Sequence, residues 1–211
     1  MVWVLGLELQ VLQVLRVDME FVAKTLDEKD RVREEAIRLS REIVRRAGDL
    51  ISMVHNRRFN EADETLQVLN LRKEELMRLL LNHTDLLYSG LAYNAFSEYA
   101  EALVVYSLIL KKKMPSITEI GVPVPAYLQG LGDVVGELRR HVVDLLDEAK
   151  VEEASNFLKV MELIYENLKR LDYPDAITPG LRHKVDVAAR LIEDTRVLIL
   201  STKNSLRCQK D

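Results

Sequence analysis

Apolar residues recur at intervals of three and four along most of the chain, the period of helices that bury one face. From Asp18 to Arg58 the series Val32, Ala36, Leu39, Ile43, Ala47, Leu50, Ile51 and Val54 predicts one long amphipathic helix. Asn60, with Glu61 and Asp63 after it, reads as an N-cap followed by first-turn acids and predicts a second helix to about Asn82. A third is predicted over Tyr88 to Lys111. The stretch Lys112 to Pro125 carries three of the five prolines and is predicted to be a connection. Pro125 opens a fourth helix to Asp147, and residues around Ala149 separate it from a fifth, Glu152 to Leu171. Tyr173 to Gly180 reads as a loop in which Thr178 caps, and Pro179 begins, a last helix to Ser201. Strand-like alternation and fixed-period repeats are both missing from the pattern, which predicts an all-α fold: a single closed bundle of long helices.

Residues 1–16 do not fit this charged pattern. They are apolar enough for a signal peptide, yet they have no basic start and Glu8 interrupts the run. They are left as an unassigned segment, with translation from Val17 or Met19 as a plainer alternative, and residues 17–211 are expected to form one domain. Composition adds three constraints. With 48% hydrophobic and 30% charged residues the chain reads as soluble and globular, and with no proline before Pro115 nothing forbids long helices in its first half. A net charge of −4 excludes a strongly basic nucleic-acid coat while leaving room for a locally positive groove. The single cysteine, Cys208, can form no internal disulfide, which points to a reducing, cytoplasmic compartment.

The candidate chemistry lies in the third and fourth helices. Between Leu86 and Leu110 the only charged side chains are Glu98 and Glu101, on a face shared with Leu91, Ala95, Ala102, Val105 and Ile109. A membrane span is excluded, because each central carboxylate would cost roughly 2.5–3.5 kcal/mol and no second span exists. Two carboxylates one turn apart in a buried setting cannot both ionise without a cation, so one is protonated, or a metal or an arginine is bound. The fourth helix carries Asp133 and Glu137 one turn apart, opposite the apolar arc Leu131, Val134, Val135, Leu138, Val142 and Leu145. Gly130, Gly132 and Gly136 flank that pair, each at about 1 kcal/mol relative to Ala, and the bare faces would admit a metal, its waters or a phosphate backbone. Four oxygen donors without cysteine suit Mg²⁺ or Mn²⁺ better than structural zinc, and no Glu-x-x-His motif supports a di-iron site. The alternative stays open: Asp133 and Glu137 on a solvated face with Arg140 and Asp144, and Glu98 and Glu101 paired with arginines. His141 reads as a packing or surface histidine, and His55, His83 and His183 are scattered without a pattern.

On the first helix Arg31, Arg38, Arg41 and Arg45 form a row that could follow phosphates. Glu34, Glu42 and Asp49 lie at pairing distance from it, as in Glu34 with Arg38 and Arg45 with Asp49, so a solvated ion-pair face is the preferred account and the four arginines are weak nucleic-acid candidates.

The segments RLSREI (38–43), FSEYAEA (96–102), YLQGLGDVVGELR (127–139) and YPDAITPGLRHKV (173–185) resemble the translin family, particularly its translin-associated factor X branch. The likeness covers the chain from about Val17. It implies an all-α fold assembling into hollow homo-oligomers, typically octamers, that bind single-stranded RNA or DNA. In that branch it implies a Mg²⁺-dependent endoribonuclease, with Glu98, Glu101, Asp133 and Glu137 as catalytic and metal-binding acids. The family's basic nucleic-acid contacts do not transfer residue by residue. The rival expectations are a non-catalytic shell binding single-stranded nucleic acid and, more distantly, a helical protein-interaction module.

Overall fold

The structure is a computed structural model and describes the backbone of residues 2–208 and the side chains of 6–206; the thiol of Cys208 lies outside the described residues. Six helices set the architecture: α1 (Val2–His55), α2 (Phe59–Leu80), α4 (Gly90–Tyr106), α6 (Val124–Asp147), α7 (Val151–Lys169) and α8 (Leu181–Cys208), with single turns at α3 (Thr84–Leu87) and α5 (Ile117–Ile120). No strand occurs among the described residues. α4 lies between α1 and α6, while α7 and α8 pack on the far side of α6 and on each other. The expected apolar arcs of the first and fourth helices are buried, Leu39, Ile43, Leu50, Val134, Val135 and Leu138 completely, and Val32 is only partly covered.

Several boundaries differ from expectation for identifiable reasons. α1 begins at Val2, not near Asp18, so residues 2–16 continue the same helix. α2 starts at Phe59 after Arg58, which makes no side-chain cap, so Asn60 lies inside the helix. The third predicted helix is divided: α3 closes at Tyr88, and α4 ends in a wider π turn over Ser107–Lys111 that Lys112 terminates with φ 50°. The connection after it contains α5, nucleated by a reciprocal capping box in which the Ser116 hydroxyl accepts from the Glu119 amide and Glu119 accepts from the Ser116 amide. Ala149, φ 58°, makes the expected break before α7. Thr178 does not cap the last helix. Asp175 accepts from the Gly180 amide at 2.7 Å, Gly180 turns the chain at φ 70°, and α8 begins at Leu181.

Two glycines of α6 admit a neighbouring helix. A Cβ at Gly130 would overlap the Ser97 carbonyl oxygen and lie 2.9 Å from the Glu101 amide nitrogen, so the α4 and α6 backbones meet there. At Gly132 it would lie 2.8 Å from the Lys184 Cβ of α8. Gly136 is different: its nearest neighbour is Leu191 at 3.9 Å, an ordinary contact.

Among the described residues, 6–31 of α1 are exposed throughout. Leu7, Leu9, Leu12, Val17, Phe21 and Leu26 are all exposed, Phe21 at 71%. Such a row of apolar residues exceeds what isolated chains usually leave in water. Among the described residues no helix is long and apolar enough to cross a membrane.

Two outcomes follow. Gly130→Ala should destabilise the protein by about 1–3 kcal/mol despite its better helix propensity, whereas Gly136→Ala should be neutral or stabilising by up to about 1 kcal/mol, as read by thermal melts. Light scattering should report a mass several times that of one chain, falling on removal of residues 2–26; a monomer of the intact chain would contradict the covering of α1 by further copies.

Candidate functional site

Gly130 brings the α4 and α6 backbones together, and the two carboxylate pairs face each other electrostatically across that contact, though among the described residues no three of the four acids offer oxygens within 4.8 Å of one another. Glu101 is the most buried of the four acids, at 9% exposure, while Glu98, Asp133 and Glu137 are half-buried. No arginine meets Glu98 or Glu101 in an ion pair among the described residues. Instead one cation comes from α8: Lys184 Nζ lies 2.5 Å from Asp133 Oδ1, over the bare surface of Gly132.

One ammonium does not balance four acids. Burial, followed by the charges of Asp133, Glu98 and Glu137, pushes the Glu101 carboxyl up to about 8, and Lys184 opposes this only in part. Glu98 is shifted upward too, by burial and then by Asp133. Glu137 moves the other way, because His55 Nε2, 2.7 Å from its Oε2, donates a hydrogen bond and Arg140 adds its charge at 3.8 Å. Since an ionised carboxylate can only accept, Nε2 carries the His55 proton.

The sequence pattern singled out neither Lys184 nor His55. Lys184 is 51 residues and His55 is 82 residues from its acid, so no local spacing announces either pair. His55, which no sequence pattern marked, ends α1 with its side chain 2% exposed. His141 stacks its ring edge-on against Phe157 at 4.7 Å, 6.4 Å from the His55 ring. A cavity of about 390 Å³ is walled by His55, Lys112, Arg140, His141 and Asp144, and none of the four acids lines it.

The arginine row is only partly an ion-pair face. Arg38 pairs with Glu35 at 2.6 Å and with Glu42 at 3.7 Å, not with Glu34, which is taken by Arg33. The Arg45–Asp49 pair is not formed, and among the described residues Arg31, Arg41 and Arg45 are exposed without an ion-pair partner. Arg38, Arg41 and Arg45 line one shallow groove with Glu34, Ile37 and Glu42.

Over 194 residues the sequence is 31% identical to an uncharacterised protein of Methanocaldococcus jannaschii, a match spanning 92% of this chain and 86% of that protein. The chain belongs to the same family as that protein. No family model matches it. Among solved structures it is similar to AfC3PO, with a TM-score of 0.82 and 29% identity over 89% of this chain and 97% of that one, both in a crystal structure of AfC3PO and in a complex of AfC3PO with duplex RNA. It also shares its fold with apo-NeC3PO, at a TM-score of 0.80 and 22% identity over 87% and 96% of the two chains. These likenesses support the translin family and the all-α fold expected of it, and an oligomeric assembly is consistent with them.

The raised Glu101 carboxyl has a signed consequence for stability. A carboxyl that binds its proton more tightly folded than unfolded contributes stability that is complete below the ordinary value of 4.5 and is lost as pH rises through about 8. Without divalent cations, wild type should therefore lose stability relative to Glu101→Gln as pH rises from 4.5 to 8, by a few kcal/mol at the upper end. Melts of both proteins across that range in EDTA check this; parallel curves would show that Glu101 ionises freely.

Proposed function

We propose that the protein is a metal-dependent endoribonuclease that cleaves single-stranded RNA inside an oligomeric shell, with Glu98, Glu101, Asp133 and Glu137 holding Mg²⁺ or Mn²⁺. One observation carries this reading: where α4 and α6 meet, Glu101 is buried within electrostatic reach of Asp133, Glu98 and Glu137, and its carboxyl is pushed up to about 8. An all-oxygen donor set with excess negative charge fits a hard divalent cation. Bound there, such an ion supplies Lewis-acid polarisation of the phosphodiester and a water of lowered pKa. The chain's own groups divide the remaining work. His55 keeps Glu137 ionised and oriented through its Nε2 proton. Lys184 neutralises Asp133 in the metal-free protein and is a cation that can turn to a substrate phosphate. Glu101 holds a proton until positive charge arrives. The exposed Arg31, Arg41 and Arg45 offer phosphate contacts along α1.

RNA as the ligand is supported by AfC3PO, which is known in complex with duplex RNA. That complex also makes strandedness a question for experiment, and single-stranded DNA belongs among the ligands to compare. A second reading, an oligomer that binds RNA without cutting it, is favoured by the Lys184–Asp133 contact, which satisfies one acid without metal.

The decisive measurement is a nuclease assay on unstructured and duplex RNA with EDTA, Mg²⁺ and Mn²⁺ arms. Cleavage should require the divalent ion. The amide variants of Glu98, Glu101, Asp133 and Glu137 should each lose roughly two orders of magnitude in rate or more while still binding RNA. Equal cutting in EDTA, or full activity in all four variants, would overturn the assignment; binding without cutting in every arm would establish the second reading.

A further inference from the structure

Beside the four acids lies a group of different chemistry. We propose that His55, His141 and Asp144 form a second metal site, selective for a first-row transition ion of the Zn²⁺ type. The inference goes beyond the nuclease reading and stands whether or not the protein cuts RNA.

The geometry is local and built. His55 ends α1, and His141 and Asp144 are three residues apart on one face of α6. One ring nitrogen of each imidazole and one Asp144 oxygen all lie within 4.8 Å of one another, the only such trio of His, Cys, Asp or Glu ligands among the described residues. A small closure would bring them to the spacing of zinc ligands.

Each imidazole keeps one ring nitrogen without a partner. His55 Nδ1 and His141 Nε2 are both buried with no hydrogen bond, and Asp144 Oδ2 stands 3.7 Å from His55 Nδ1, too far to satisfy it. The other nitrogen of His55 is committed to Glu137, so Nδ1 is the ring atom left to meet a ligand. A histidine that donates one ring N–H to a carboxylate while its second nitrogen is free is the common arrangement behind a metal-bound imidazole. His141 is held neutral: burial, then the charges of Lys112 and His55, lower it to about 4, so its ligand form prevails at neutral pH.

The donor set separates this site from its neighbour. Two nitrogens and one oxygen suit Zn²⁺ and the other late divalent ions, whereas Mg²⁺ prefers the all-oxygen acids. The nearby cations are already engaged, Lys112 with Glu153 at 2.9 Å and Arg140 with Glu137 at 3.8 Å. The adjoining cavity of about 390 Å³ leaves space for water or an anion to complete the coordination.

The test is calorimetric titration of EDTA-stripped full-length protein with Zn²⁺ in excess Mg²⁺, paired with the visible spectrum of the Co²⁺ form. Wild type should bind Zn²⁺ with its affinity lowered at least roughly tenfold in Asp144→Asn and in His141→Gln, and the Co²⁺ ligand-field bands should be lost or shifted in the latter. The Glu98→Gln/Glu101→Gln double variant should bind Zn²⁺ as wild type does. Asp144 is exposed, so its variant should fold, and circular dichroism verifies both; should His141→Gln unfold, Asp144→Asn decides alone. Absence of Zn²⁺ binding in wild type, or equal affinity and unchanged spectra in the variants, would overturn the site.

Discussion

The molecule turns on the closeness of α6 to α4 at Gly130. One missing methyl group allows the Ser97–Glu101 backbone to rest on α6, and this contact sets how near the two acid pairs stand. Gly132 extends the same logic to α8, admitting the stem of Lys184 so that its ammonium reaches Asp133. Packing and electrostatics are therefore one constraint: a wider spacing would relax the acids and forfeit the charge density that makes them a cation site.

That density is costly to the free chain. Four carboxylates face one ammonium and one imidazole; burial and the neighbouring charges raise the Glu101 carboxyl, and Glu137 bonds to His55. Structures usually tolerate such local dissatisfaction where a function is served by it. The cost falls on the middle of the bundle, where the buried faces of α1, α4 and α6 supply enough apolar contact to hold it.

The helical frame was legible because a period of 3.6 is written locally: the arcs of the first and fourth helices are visible as spacings, and so are Glu98 with Glu101 and Asp133 with Glu137. The remaining contacts are non-local. His55 and Lys184 meet their acids only after the chain has folded back on itself. The role of the α6 glycines depends on which neighbour fills the bare face, and a backbone does so as readily as a ligand. Short local devices were recoverable in principle: Ser116 and Glu119 have the spacing of a capping box, yet three surrounding prolines mask a single helical turn. The start of α8 is harder, since Asp175 and Thr178 both have the chemistry of a cap and only the path of the loop selects between them.

The long first helix has a thermodynamic consequence of its own. Its 54 residues extend about 80 Å, well past the bundle that covers its C-terminal half. A bare helical arm with so much apolar surface gains its stability from whatever lies against it. If that is another copy of the chain, folding and assembly become linked equilibria, and the stability of the N-terminal half is set by mass action, rising with the logarithm of protein concentration, while the four acids at the α4–α6 contact remain a property of each chain alone.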